Sequence, residues 1–289
     1  MHNVTIKDKQ VEQELNEKGF VIKDLLDISE INSFLSDIYL KINTADTKKL
    51  NFNTGADLDT QIKNYTFEKI QKVLPQKLDC FLSGYEIISG IMFIKRPSNE
   101  ESGQVGLHFD PTLLPDESVQ RHIDIWIPLI DVDENNGALW MVPGSHRIFP
   151  PAHAITIPFP FSNIKDAVQK HCQCIKMKAG EGLIFDNRTI HYSLQNFSST
   201  DRPVLVLSFV PYGSEFISLY KAPGDSPIEV YKQSKDWYRH PEWSNDFQRP
   251  RIGEFIGHLN YEPFFATEKE FIESMASGIP IRNYTFKIL

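Results

Sequence analysis

Three cysteines in 289 residues are too few for a disulfide-built fold. Cys80 stands alone. Cys172 and Cys174 flank one residue, but no second cysteine pair lies near them, so their spacing is at most half of a zinc site. No apolar run approaches the length that spans a bilayer. The opening, MHNVTIKDKQVEQELNEKGF, has no apolar stretch of the kind a secretion signal needs. A basic excess is missing too: 30 Lys and Arg face 38 Asp and Glu, for a net charge of -8, which argues against nucleic acid as the partner. There is no internal repeat and no low-complexity segment. These absences lead to the expectation of a reduced, cytoplasmic protein with no membrane partner.

What is present suffices for an ordinary globular fold. Hydrophobic residues make up 41% of the chain and charged residues 24%. A chain of this length buries a large core without staples.

The first part of the chain, about residues 1–84, reads as mainly helical. Gln10–Lys18 has helical composition and stops at Gly19, a C-terminal capping glycine. Phe20–Lys23 (FVIK) reads as a short strand. Ser29 is placed to cap a helix with Ile31, Phe34, Leu35 and Ile38 on one face. Asn43–Asp59 reads as a polar loop, and Asn64–Leu74 as a helix that Pro75 stops.

From about residue 85 the period changes. YEIISGIMFIKRP reads as a strand with an irregularity at Gly90. In HIDIWIPLI, residues Ile123, Ile125, Ile127 and Leu129 face one side, and His122, Asp124, Trp126 and Pro128 the other. GALWMVPGSH is a strand that runs into a Pro-Gly turn, and CQCIKMKAGEGLIFD is two short strands joined across Gly180 and Gly182. TIHYSLQN and RPVLVLSFVP follow. Many short strands joined by glycine and proline turns read as a sandwich or barrel. After Pro211 the pattern dissolves, and residues 212–289 read as an extension ending in a helix capped by Thr267-x-x-Glu270.

GLHFDPT holds the first chemical signal. On a strand, positions two apart point the same way, so His108 and Asp110 would aim an imidazole and a carboxylate at one point. Alone, that spacing is weak. A second histidine, His191, lies on a probable strand farther on, and Arg202 opens the next. Two histidines and a carboxylate can hold one face of an octahedral Fe(II), as in non-heme iron oxygenases. The open positions take a bidentate 2-oxo acid and dioxygen. A distal carboxylate on that acid needs a buried cation, and the planar fork of an arginine suits it.

At these residues the chain resembles the phytanoyl-CoA dioxygenase family of Fe(II)/2-oxoglutarate oxygenases. The resemblance covers most of residues 11–211. LNEKGFVIKDLLDISEINSF is similar to the family's first helix–strand–helix, LHFD to its His-x-Asp strand, NNGALWMVPGSHR to its Pro-Gly-Ser-His segment, and GEGLIFDNRTIHYSLQNFSSTDRP to its distal His, Ser, Asn and Arg. It implies a mainly β fold with flanking helices: a double-stranded β-helix, or jelly roll, in a single domain with Fe(II) at its mouth. It further implies His108, Asp110 and His191 as metal ligands, and Arg202, Ser193, Trp126 and Lys95 (or Arg96) as contacts of the cosubstrate 2-oxoglutarate. With O2, such an enzyme oxidises a small-molecule substrate and releases succinate and carbon dioxide. Phe109 stands where many relatives carry Gln.

Each residue also has a plainer reading. A lone histidine is more often packed or on the surface than bound to metal; joint placement with Asp110 and Arg202 reverses that. Arg202 could pair with Asp201 or Glu181, and Trp126 could be plain core. Asn135, Asn136, Gly137, Pro143, Gly144 and Ser145 read as turn formers, and His146 as structural. His122, Phe109 and Trp237 are assigned to the substrate pocket, with Trp237, Tyr238, His240 and Trp243 as part of a lid or of a packed extension. A jelly-roll protein that binds a metabolite without turnover is the alternative function; a zinc hydrolase would need a general base that is not evident. The acidic chain points to a neutral or cationic small metabolite.

Overall fold

The alternation from His122 to Ile130 requires a strand with two unlike apolar neighbours, and the computed structural model supplies both. It describes residues 5–42, 49–55, 60–117, 120–148, 150, 152–239, 248–282 and 285–289. The N-terminal elements are β1 (Thr5–Ile6), α1 (Lys9–Glu17), β2 (Phe20–Asp24), α2 (Ile28–Phe34), α3 (Leu40–Ile42), β3 (Asn51–Asn53), α4 (Thr60–Leu78) and β4 (Leu82–Ser83). Next come β5 (Tyr85–Lys95), β6 (Val105–His108), β7 (Ile123–Pro128), β8 (Leu139–Met141), α5 (Lys165–Gln169), β9 (Gln173–Cys174), β10 (Glu181–Asp186), β11 (His191–Ser193) and β12 (Arg202–Pro211). The chain ends with β13 (Phe216–Lys221), β14 (Ile228–Gln233), β15 (Glu254–Leu259) and α6 (Glu268–Ser277).

A six-stranded antiparallel sheet has the order β2-β10-β7-β12-β5-β3, and a four-stranded sheet the order β6-β11-β8-β9. Together they form the double-stranded β-helix. The helix-side face of the larger sheet, with Ile123, Ile125, Ile127, Leu129, Leu205, Leu207 and Phe209, packs against Val11, Leu15, Phe34, Ile70 and Leu74 of α1, α2 and α4. The opposite face carries Trp126, Leu183, Phe185 and Val204 into the barrel, where they meet Leu139 and Met141 of β8. Burying both faces of one strand is why β7 is buried throughout yet still alternates. Among the described residues no helix is long and apolar enough to cross a membrane.

Several local readings give way to tertiary contacts. Asp27, not Ser29, caps α2, in a full capping box with Glu30; the Ser29 hydroxyl donates to Asp27 Oδ1 at 2.7 Å. Part of the expected polar loop is β3, which pairs with the end of β5, so strands from before residue 85 form both edges of the larger sheet. Pro75 does not stop α4. Ile70, Leu74 and Leu78 recur at helical spacing and are buried, and their burial outweighs the one hydrogen bond that proline forfeits. Gly90 is not the irregularity in β5. The register shift lies beside it, opposite Ser208 and Phe209, and Gly90 is glycine because a Cβ there would meet Ile70 at 3.1 Å. The chain after Pro211 does not dissolve: β13, β14 and β15 form a three-stranded sheet. The Thr267–Glu270 capping box is present as expected.

Gly180 joins β10 to the N-terminal region. It has φ +87°, and a Cβ there would lie 2.4 Å from the carbonyl oxygen of Leu26. Its own carbonyl accepts from the N–H groups of Leu25 and Leu26. Gly180→Ala is therefore expected to cost about 1–3 kcal/mol, from left-handed strain and backbone overlap. Gly106→Ala, where nothing lies within 4 Å, should stay within about 0.5 kcal/mol. Urea denaturation of the two variants side by side checks the difference.

Candidate metal centre

β6 ends at His108, and β11 begins at His191. The two residues are direct partners in the antiparallel ladder, and their rings lie 4.2 Å apart between centroids. Asp110 follows just beyond the end of β6, its N–H bonded to the carbonyl of Asn187 at 3.1 Å. Its Oδ1 is 3.7 Å from His108 Nε2, and its Oδ2 is 3.7 Å from His191 Nε2. One donor atom from each residue lies within 4.8 Å of the others, and among the described residues no other group of His, Cys, Asp and Glu does this. Cys172 and Cys174 are free thiols outside any such group.

The histidines are oriented for coordination. His108 Nδ1 lies 2.7 Å from the carbonyl of Gly106, and His191 Nδ1 2.9 Å from that of Thr189. A carbonyl only accepts, so each Nδ1 carries the hydrogen and each Nε2 keeps its lone pair turned to the shared point. Burial holds both imidazoles below the ordinary histidine range, which keeps them neutral. Burial and the neighbouring Asp124 raise Asp110 to about 7. A bound divalent cation favours the ionised form of such a group. The donor set and its tautomers fit a hard or borderline divalent metal.

Arg202 opens β12 on the barrel side and is 1% exposed. Its guanidinium lies 5.2 Å from the Trp126 ring centroid and 5.6 Å from that of Phe93. Its Nε and Nη1 have no hydrogen-bond partner among the described residues. It pairs with neither Asp201, which accepts from Tyr39 at 3.0 Å, nor Glu181. Burial without a counter-ion pushes it down to about 9. Lys95, opposite Arg202 in the ladder, is completely buried. It donates to Ser193 Oγ at 2.7 Å, to the Ser193 carbonyl at 3.3 Å and to the Leu194 carbonyl at 2.6 Å. Burial and the neighbouring Arg202 hold Lys95 down to about 6. Ser193 shares β11 with His191, so one strand links the triad to Lys95. Arg96, the neighbour of Lys95, pairs its N–H with the Leu50 carbonyl.

The other expected pocket residues are placed differently. Phe109, between two residues that face the metal point, turns the other way, into an aromatic cluster with Phe159 and Phe161. His122 is 2% exposed and lies between Glu117 and Asp124. Trp237 packs with Leu113, Leu114 and Phe216 and walls a cavity that is partly open to solvent. That cavity begins at Pro111 and Thr112, directly after Asp110 in the chain, and continues along Ile217 and Leu219 of β13. Thr112 and His153 tie its two walls through Thr112 N to His153 O and His153 N to Thr112 Oγ1, both 2.9 Å. His240 and Trp243 lie outside the described residues, as does the side chain of Tyr238. His146 is structural, with Nε2 3.2 Å from the Asn16 carbonyl. Asp124 and Glu117, which flank His122, were not singled out in the sequence, although the polar face of β7 carried the signal for Asp124.

The sequence profile of the phytanoyl-CoA dioxygenase (PhyH) family matches residues 15–204. A Danio rerio protein, phytanoyl-CoA dioxygenase domain-containing protein 1, is 28% identical over 125 residues, which is 41% of this chain and 42% of that protein. The match thus spans less than half the length of that curated relative. Among solved structures, the non-heme alpha ketoglutarate dependent carbocyclase SnoK from nogalamycin biosynthesis superposes with a TM-score of 0.55 at 16% identity, over 73% of this chain and 88% of that one. The epimerase SnoN, in complex with Fe3+, alpha ketoglutarate and nogalamycin RO, superposes with a TM-score of 0.53 at 16% identity, over 75% and 91%. At such identities the likeness is one of fold.

Replacing His108 or His191 by alanine should abolish tight binding of a divalent metal while the secondary structure persists. Anaerobic calorimetric titration with Fe(II), alongside circular dichroism, checks both halves. Unchanged affinity in either variant would remove that histidine from the centre.

Proposed function

The chain belongs to the phytanoyl-CoA dioxygenase family, and from that membership we propose that it is an Fe(II)- and 2-oxoglutarate-dependent dioxygenase acting on a small molecule. The observation that carries this reading is the pairing of a metal-binding triad with a buried guanidinium that lacks a counter-ion. A buried unpaired charge is costly unless something fills the place, and a dicarboxylate fits it.

His108, Asp110 and His191 would hold the metal, which with 2-oxoglutarate would supply dioxygen activation. The balance is substrate C–H plus dioxygen plus 2-oxoglutarate giving substrate C–OH, succinate and carbon dioxide. Arg202 takes the distal carboxylate of the oxo acid. Ser193 accepts from Lys95 through its hydroxyl oxygen, which leaves its own O–H to donate to the same carboxylate. Trp126 and Phe93 flank the guanidinium and keep water from it. The carboxylate at position 110 occupies the place that a halide would need at the metal, so the product is oxidised without halogen.

The cavity past Pro111 is the substrate space. Its lining is mostly apolar, with Leu113, Ile155, Ile217, Leu219 and Trp237. Its described lining includes Arg249 and Arg251 and no acid. Of the neutral or cationic substrate expected from net charge, this lining supports the neutral one, and it also favours an anionic one with an apolar body.

Arg202→Ala should weaken 2-oxoglutarate binding by about 2–4 kcal/mol and leave metal affinity close to unchanged, because charge-assisted buried bonds are lost. Arg202→Lys should recover only part, without the two-pronged geometry. Anaerobic titration of the metal-loaded protein with the oxo acid measures both. Fe(II) with 2-oxoglutarate at a hundred times its dissociation constant should add roughly 2.7 kcal/mol of stability. The reaction itself is tested by succinate release under air, screened over apolar acids and neutral analogues. Tight oxo-acid binding with no succinate from any of them would make the protein a metabolite binder.

A further inference from the structure

Lys95 stands directly opposite Arg202 in the ladder between β5 and β12. Residues paired in this way project from the same face of a sheet. A buried amine beside a guanidinium is disfavoured as an ammonium by lost hydration and by like charge, and both act on Lys95, burial first. Among the described residues no carboxylate offsets this. On β3 the residue opposite Lys95 is the uncharged Asn51. On β11, His191 is held neutral by burial. The turn before β8 meets the lysine stem at Gly137, where a Cβ would lie 2.7 Å from Lys95 Cδ. The acids of that turn are engaged elsewhere: Asp133 accepts from the Asn135 N–H, and Glu134 from Lys176. Asp201, beside Arg202 in the chain, accepts from Tyr39.

The oxygens around Lys95 Nζ respond to its charge. They are Ser193 Oγ at 2.7 Å, the Ser193 carbonyl at 3.3 Å and the Leu194 carbonyl at 2.6 Å. An ammonium has three N–H groups, one for each oxygen. Ser193 then accepts from Lys95, and its own hydrogen is available to another group. An amine has two N–H groups and a lone pair that must face one of the three oxygens. Two of these are carbonyls, which have no hydrogen to give. Only the Ser193 hydroxyl can meet the lone pair, by turning its hydrogen toward Nζ. In that form the hydroxyl is spent on Lys95.

A dicarboxylate on Arg202 reverses the balance. Its far carboxylate sets a negative charge beside the guanidinium and offsets the like-charge effect on Lys95. It also accepts a hydrogen bond that Ser193 can give only while Lys95 is an ammonium. The proton and the cosubstrate therefore favour each other's binding, and the effect is reciprocal.

We propose that Lys95 is a positioning residue that takes up a proton from solvent as 2-oxoglutarate binds, and so turns the Ser193 hydroxyl from Lys95 to the distal carboxylate. The proposal rests on Arg202 and Ser193 being the cosubstrate site. It fixes a pH dependence. Without cosubstrate, Lys95 is an amine above about pH 6; with it, an ammonium. Affinity for 2-oxoglutarate therefore falls as pH rises above about 6, by up to about tenfold per pH unit where a full proton is taken up. Below that pH the ammonium is already present, and the dependence on Lys95 disappears.

The test is anaerobic calorimetric titration of the Fe(II)-loaded protein with 2-oxoglutarate at about pH 7.5, once in HEPES and once in Tris. The two buffers release protons with different heats, so the difference counts the protons taken up. The unmutated protein should take up about one proton per cosubstrate bound. Lys95→Met should take up none and bind more weakly, with folding checked by thermal melting. No uptake by the unmutated protein overturns the proposal. So does undiminished uptake in a folded Lys95→Met, because the proton would then sit elsewhere. If Lys95→Met does not fold, NMR of the lysine Cε carbons decides, with Zn(II) as a diamagnetic metal. In the unmutated protein one lysine Cε resonance should move from its amine to its ammonium position when 2-oxoglutarate is added, and no such movement overturns the proposal. Failure of the Fe(II)-loaded protein to bind 2-oxoglutarate overturns the reading of the centre itself, and is seen before any proton is counted.

Discussion

The pairing of His191 with His108 is the contact on which the centre depends. A slip of one residue between β11 and β6 would turn every side chain on β11 to the opposite face and separate the two imidazoles. The fold invests several bonds in preventing it. The Ile190 N–H donates to Ser145 Oγ at 2.8 Å, and the Ile190 carbonyl accepts from Val142 at 2.9 Å. Ser145 in turn donates to the Val142 carbonyl. The Pro-Gly-Ser-His turn is therefore a register clamp placed one residue before a metal ligand. On the outer face Trp140 stacks on Tyr192 and holds β8 against β11.

The barrel interior is polarised along its length. Arg202, fully buried, stands at one end, beside Lys95, whose ammonium burial and Arg202 disfavour. Asp110, Asp124 and Glu117 gather at the other, with His122 among them. No acid is paired with Arg202, although the chain carries more acids than bases. A dicarboxylate entering such a field has one favourable direction, with its far carboxylate toward Arg202 and its reactive end toward the triad. Orientation of the cosubstrate thus follows from where the strands deposit charge, before any single contact is considered.

What the sequence made legible was whatever a short pattern can carry. The alternation of β7 told which residues face the helices and which face the barrel. Spacing alone placed His108 and Asp110 on one side. The resemblance supplied His191, Arg202, Ser193 and Lys95, and the structure draws them together. What stayed hidden depends on partners far along the chain. Gly90 gives no local sign that Ile70 will press on it. Pro75 obeys a local rule until Leu74 and Leu78 are buried. The β13 and β14 strands alternate, but β15 is half exposed and has no clean period, so the sheet they form could not be counted. Asp124 was placed on the correct face, yet the partner that holds it, Ser208, comes from another strand.

The solitary charge of Arg202 has a consequence for the life of the protein. A core that is finished only when a metabolite enters it is a core whose completeness varies with supply. The ligand then serves the chain as a removable piece of interior, supplied from the surrounding pool. When that pool falls, the open form is visited more often, and proteases act on open forms. The amount of this protein in a cell would then follow the availability of its own cosubstrate, with no dedicated regulator to connect them.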